Sequence, residues 1–155
     1  MIHALPPDPP PVIGRATVVD GDTLEIHGQR IRLWGIDAPE SRQTCTRGGQ
    51  TYRCGQAAAL YLADQIGQKQ VICTPQGRPD RYRRIVARCV VVLTSSNGRA
   101  GPELAALLVG NGHALDYPRY SLGAYASYER HAQERRLGVW AGEFQRPWEW
   151  RITRG

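Results

Sequence analysis

Between Ile13 and Ile36 the chain reads IGRATVVDGDTLEIHGQRIRLWGI, crowded with β-branched residues and broken at Asp20-Gly21 and at His27-Gly28. Branched side chains lose little rotamer freedom in a pleated strand, and a glycine at each break allows the positive φ of a tight reversal. The stretch therefore predicts three short strands in a meander. In the second, Leu24 and Ile26 fall on the same side as Asp22, with Thr23, Glu25 and His27 opposite. Asp22 thus opens a strand side that is apolar further along, where a carboxylate needs compensation.

Residues 37–52 are polar and turn-rich, a long loop for a compact domain and hence a functional or tethered one. From Arg53 to Ile66, Ala57, Leu60 and Tyr61 recur at helical spacing, and Gly67 supplies the stop. Gln70–Pro75 and Ile85–Leu93 return to strand character around an arginine-rich turn, Gly77 to Arg84. Pro102 is expected to open a second helix striped by Leu104, Leu107 and Leu108 and stopped at Gly110-Asn111-Gly112. Ser121 is expected to cap a third, with Tyr125, Tyr128 and Ala132 on one side and Gly138 at its end. Five short strands with a helix between the third and fourth predict an α+β chain, a five-stranded OB-fold barrel with three α-helices. A length of 155 residues suits one domain. It is expected over 13–155, after a Pro-rich extended segment over 1–12 and with a C-terminal tail whose Trp140, Trp148 and Trp150 seal the barrel end.

Basic residues comprise 19 Arg and a single Lys, Lys69, and the formal net charge is +6. A codon-biased genome explains a high Arg:Lys ratio without explaining the excess charge, which implies an anionic partner whose phosphates a guanidinium fork can grip. No apolar run approaches the roughly 20 residues of a bilayer crossing, so membrane functions are set aside. Cys45, Cys54, Cys73 and Cys89 include no C-x-x-C pair, which argues against structural zinc. Of their three connectivities, sequential pairing is favoured: Cys45 with Cys54 closes a short loop, and Cys73 with Cys89 staples two strands. Four reduced thiols in a cytosolic core are the other reading. The disulfides imply a secreted or periplasmic setting. The opening MIHALPPDPPP carries no signal-like apolar core, so either the protein stays inside or the chain is a mature form given a new initiator Met; the two Cys pairs favour the second.

Asp22, Asp37 and Glu40 lie at the ends of the predicted second and third strands or just beyond. Singly, each reads as a solvated turn residue. Together they ask for a hard divalent cation, which prefers carboxylate and carbonyl oxygens. Arg32, five residues before Asp37, and Arg84, beside the arginine-rich turn, could face these acids. The plainer alternative for both is a structural ion pair. Acids around a metal with two fixed guanidiniums are what phosphodiester hydrolysis requires.

The runs VVDGDTLEI, IRLWGIDAPES and DRYRRIVA resemble the staphylococcal-nuclease-like (thermonuclease) family across roughly residues 13–140, with Gly112-His113-Ala114 and Gly138-Val139-Trp140 in order. The resemblance implies an OB-fold and Ca²⁺-dependent phosphodiesterase activity on DNA and RNA, breaking the 5′ P–O bond and leaving 3′-phosphate ends. It implies Asp22 and Asp37 as metal carboxylates, with the main-chain carbonyl of Ala38 as a further ligand. Arg32 and Arg84 are implied as phosphate-binding arginines and Glu40 as the residue that orients or deprotonates the attacking water. Tyr82 matches a tyrosine near the nucleotide, and Tyr117 and Tyr120 follow the segment where relatives carry stacking aromatics, which suits low base specificity. Arg83 stands where the family usually has a small residue, which leaves open whether Arg83 or Arg84 meets the phosphate. The four histidines carry packing or surface roles, and the enzyme is expected to act as a monomer. The competing class is a non-catalytic nucleic-acid or protein-binding module, against which Glu40 speaks, since an extra acid near phosphate repels substrate unless a metal or water requires it.

Overall fold

A computed structural model describes residues 9–93 and 98–154; most of the Pro-rich segment expected over 1–12 lies outside them. The predicted meander is present as β1 (Val12–Asp20), β2 (Thr23–Ile26) and β3 (Gln29–Leu33). The reversal between β2 and β3 uses positive φ at both His27 (51°) and Gly28 (78°), as a two-residue hairpin requires. Gly21 does not enter the left-handed region. A Cβ there would stand 2.7 Å from the Cβ of Ala58 and 2.9 Å from that of Ala38, so close packing is what this position demands.

Beyond β3 the chain forms β4 (Ile36–Asp37), β5 (Cys45–Arg47), β6 (Gln50–Tyr52), α1 (Cys54–Ile66), β7 (Gln70–Pro75) and β8 (Ile85–Val92). There follow β9 (Ala100–Glu103), α2 (Leu104–Gly110), β10 (Leu115–Asp116), α3 (Pro118–Ser121), α4 (Ala126–Glu134) and α5 (Pro147–Arg154). Strands run in the order β3-β2-β1-β7-β8-β9. The first half of β8 also pairs in parallel with β3, Ile31 opposite Ile85 and Leu33 opposite Ala87, which closes the expected five-stranded OB barrel. Its second half pairs with β9 instead.

Leu24, Ile26, Ile31 and Leu33 point into this barrel at 0–1% exposure and meet Leu62, Val71, Ala87, Leu104 and Leu108. Each such aliphatic side chain contributes about 1.5–3 kcal/mol on burial. Cys73 and Cys89 are register partners across β7 and β8 and are disulfide-bonded, as are Cys45 and Cys54.

Several expectations need correction. The loop over 37–52 starts at the last residue of β4 and contains the hairpin β5–β6, which Cys45 ties to the first residue of α1. In α1 the buried stripe is Cys54, Ala58, Leu62 and Ile66, with Leu60 62% exposed, because the barrel sits one position round from the expected side. Pro102 lies in β9, on the edge of the sheet where a missing N–H does no harm, and α2 starts at Leu104. The expected third helix is split. Ser121 closes α3 and donates its hydroxyl to Asp116, Leu122 and Gly123 take positive φ, and α4 begins at Ala126 and ends before Gly138. Tyr125 and Ala132 are buried there, while Tyr128 is half-exposed. Five α-helices, rather than three, stand among the described residues. The C-terminal tail is α5; Trp140 and Trp148 pack in a second apolar cluster with Cys45, Cys54, Leu115 and Val139.

Candidate active site

The turn after β1 sets Asp22 at the barrel rim, 8% exposed. Its carboxylate accepts the Ala38 N–H at 2.9 Å and the Thr23 hydroxyl at 3.2 Å. Thr23 is the register partner of Arg32, which brings the Arg32 side chain beside Asp22. Pairing of β4 with β10 places Asp37 opposite Leu115 and buries it completely. Arg32 donates through Nη1 to the Leu33 carbonyl at 2.8 Å. Its Nη2 lies 3.4 Å from Asp22 Oδ2 and 3.3 Å from Asp37 Oδ1. Two buried carboxylates therefore converge on one nitrogen.

A second guanidinium closes the cluster from α5. Arg151 donates to Asp37 Oδ2 at 2.7 Å and, through Nη1, to Asp37 Oδ1 at 3.0 Å and Glu40 Oε1 at 2.6 Å. Glu40 is fixed from behind by Gln43, whose Oε1 accepts the Glu40 N–H and whose Nε2 donates to the Gln145 carbonyl at 2.7 Å. Gln43 is fully buried, so one amide joins the Glu40 loop to the approach of α5.

The electrostatics follow from these contacts. Burial pushes the Asp22 carboxyl up, but the Arg32 charge and hydrogen bonds from Asp20, Ala38 and Thr23 outweigh it and hold it below the usual carboxylate range. Burial raises Asp37, and the Asp22 charge adds to this; hydrogen bonds from Arg151 and the Arg32 charge recover only part. Asp20 is pushed up to about 7 by burial and by Asp22. Asp20, Asp22, Asp37 and Glu40 line this rim, with Arg32 and Arg151 the guanidiniums paired to its acids. Hard anionic oxygens in a cluster of that kind fit a divalent cation such as Ca²⁺. Among the described residues no set of three or more His, Cys, Asp or Glu side chains stands in ready ligating geometry, and guanidinium nitrogens carry the positive charge.

Arg84 reaches the same cleft, a space of about 1040 Å³ lined by Asp22, Arg32, Asp37 and Glu40 on one side and by Tyr82 and Arg84 on the other. It is braced by Asp80, which accepts its Nε at 2.8 Å and the backbone N–H groups of Tyr82 and Arg84. Arg83 is exposed, at φ 63°, outside the cleft lining. Tyr82 and Tyr120 are 63% and 55% exposed, with the guanidiniums of Arg81 and Arg84 over the Tyr82 ring at 4.9 and 5.3 Å and that of Arg119 over the Tyr120 ring at 5.6 Å. The Tyr117 ring is stacked on Trp148 at 4.8 Å and met edge-on by Tyr120 at 5.0 Å, so one of its faces is already covered.

Asp20, Gln43, Asp80, Trp148 and Arg151 join or brace this site without having been anticipated. For Asp20 the signal was available in the D-G-D repeat. Nothing local marks Arg151, which lies 111 residues from Glu40.

The chain is similar to known proteins over most of its length. Residues 30–142 match the family model described as staphylococcal nuclease homologue. The chain is 38% identical over 136 residues to the succinoglycan biosynthesis protein ExoI of Rhizobium meliloti (strain 1021), covering 86% of this chain and 66% of that protein. It is 33% identical over 143 residues to a micrococcal nuclease of Shigella flexneri, covering 86% and 76% respectively. A staphylococcal-like nuclease of Arabidopsis thaliana is 31% identical over 124 residues, of which this chain spans 33% of the length. A rim of acids and arginines on a closed OB barrel, carried on a sequence this similar, has one consistent reading: the chain belongs to the staphylococcal nuclease homologue family.

Proposed function

We propose that the protein is a Ca²⁺-dependent endonuclease that hydrolyses phosphodiester bonds of DNA and RNA and leaves 3′-phosphate ends. The observation that carries this reading is the convergence of buried Asp22 and Asp37 on one Arg32 nitrogen, in a cleft that Glu40 and Arg84 also line. Asp22, Asp37 and the Ala38 carbonyl would hold the ion, which supplies Lewis-acid polarisation of a phosphoryl oxygen when bound. Arg32 and Arg84 grip the non-bridging oxygens and stabilise the charge that grows on them. Glu40 orients a water and takes its proton as the water oxygen bonds to phosphorus. The 5′ oxygen leaves with the electron pair of the broken P–O bond and takes up a proton.

Tyr82 and Tyr120 are the stacking platforms of this reading, with Tyr117 supporting Tyr120 rather than receiving a base. A formal net charge of +6 draws the polyanion in. Arg83, outside the cleft lining, adds to that field, and Arg84 is the phosphate arginine. All these groups come from one chain, so a monomer suffices. The two cystines favour a secreted or periplasmic protein, and no helix among the described residues is long and apolar enough to cross a membrane.

Arg151 on Asp37 and Glu40 is the observation that favours the second reading, a binding module without turnover. Digestion of plasmid DNA and of RNA, with added Ca²⁺ or with chelator, separates the two. Cleavage in Ca²⁺ that stops in chelator and leaves 3′-phosphate ends is expected. Retention of uncut nucleic acid by the protein in Ca²⁺ would establish the module instead, and cutting that persists in chelator would remove the metal.

A further inference from the structure

The region matched to the family ends at residue 142, and α5 lies beyond it. Yet α5 supplies the shortest contacts in the acid cluster. Its first turn is anchored: Pro147 is buried, Trp148 stacks on Tyr117, and Gln43 holds the Gln145 carbonyl. Its second turn is not packed in this way. Ile152 is 79% exposed, Thr153 bonds back to Trp150 within the helix, and Arg154 lies over the Trp150 ring. Among the described residues, Arg151 is the side chain of that turn that hydrogen-bonds to the barrel.

The oxygens that Arg151 engages are both carboxylate oxygens of Asp37 and one of Glu40. In the function proposed above, on which this inference rests, Asp37 belongs to the divalent cation and Glu40 to the attacking water. A guanidinium spanning both Asp37 oxygens and one Glu40 oxygen takes up lone pairs and close space that a doubly charged centre would otherwise use, and the two cations repel each other across the carboxylate. We propose that α5 is an internal plug, in which Arg151 competes with the divalent cation for Asp37 and occupies Glu40, so that cation binding and release of α5 form a single equilibrium. Anchoring of the first turn keeps Arg151 near the site when it is displaced, at a high effective concentration for return. Linkage makes the effect reciprocal: the factor by which docked α5 weakens the cation is the factor by which the cation weakens docking of α5.

The test uses the full chain, as wild type, R151Q and R151K. Ca²⁺ affinity is measured by calorimetry, and hydrogen exchange is followed at the amides of residues 148–154 with and without Ca²⁺. The plug predicts a Ca²⁺ dissociation constant at least about tenfold lower in R151Q. R151K is expected between, since its ammonium keeps the charge without the fork. Saturating Ca²⁺ should speed exchange across α5 in the wild type, a readout that needs no variant. Wild-type Ca²⁺ binding with equal or weaker affinity in R151Q and unaltered exchange overturns the plug and leaves the nuclease reading intact. If none of the three proteins binds Ca²⁺, the metal reading falls and the plug falls with it.

Discussion

Gly55, the second residue of α1, sits against the loop that carries Glu40. A Cβ built there would lie 1.8 Å from the Glu40 carbonyl oxygen, 2.6 Å from its carbon and 3.0 Å from the Ser41 Cα. In an unconstrained helix, Gly→Ala stabilises by about 1 kcal/mol. Here a carbon and an oxygen need about 3.3 Å or more, so Gly55→Ala must separate the helix start from the Glu40 peptide by roughly 1.5 Å. Neither side yields easily. The preceding residue is held by the Cys45–Cys54 disulfide, and the same Glu40 carbonyl already accepts the Gln43 N–H at 2.8 Å. Overpacking typically costs about 1–3 kcal/mol, and a 1.8 Å approach to backbone belongs in the upper part of that range, about 2–3 kcal/mol, so that a net loss of about 1–2 kcal/mol remains after the propensity gain. For a chain of this size that lowers Tm by about 2–8 °C. The Glu40 carboxylate rides on the displaced peptide, and a shift on the order of 1 Å at a reacting group costs about 10²-fold in rate. Calorimetry and single-turnover hydrolysis on Gly55→Ala measure both effects. Gln56→Ala, at the exposed neighbouring position, is the control, a helix-favouring change of about a few tenths of a kcal/mol without the clash. A Tm for Gly55→Ala at or above that of Gln56→Ala, with wild-type turnover, would refute the steric argument.

Glu40→Gln should cut turnover by about 10²–10⁴ while leaving nucleic-acid binding largely intact, because a proton acceptor is lost and the shape kept; digestion at an unaltered rate would show that another group takes the proton. Arg84→Gln should lower kcat/KM by about 10²–10³, the loss of one charge-stabilising donor, against less than about 10-fold for Arg83→Gln, and the opposite order would return the phosphate to Arg83. Burial holds the His113 imidazole below its ordinary range. The unfolded chain therefore takes up this proton first, so the His113 contribution to stability is complete above about pH 6.5 and is lost as the pH falls below it. Denaturant melts at pH 7.5 and 5.5 should show a smaller acid loss in His113→Gln than in the wild type, and parallel losses would mean that His113 is solvated.

The barrel was legible because its causes are local. Strand alternation and turn chemistry act within a few residues, and the acids Asp22, Asp37 and Glu40 with Arg32 all fall within one stretch of meander and following loop. The helix boundaries were less so. Pro102 reads as a helix opener on its own and becomes an edge-strand residue because β8 needs a partner for its second half. Leu60 reads as core by spacing alone, and which side of α1 is buried depends on where the barrel lies.

The amino-acid order alone determined the meander and the chemical types assembled at the rim, since period-2 patterning and residue chemistry are properties of short segments. Only the folded chain decided that Tyr117 is capped by Trp148, that Gln43 spans 102 residues to bind Gln145, and that Arg151 closes on Asp37 and Glu40. Contacts across such separations leave no periodic trace, because what brings the partners together is closure of the barrel and packing of the C-terminal helix against it.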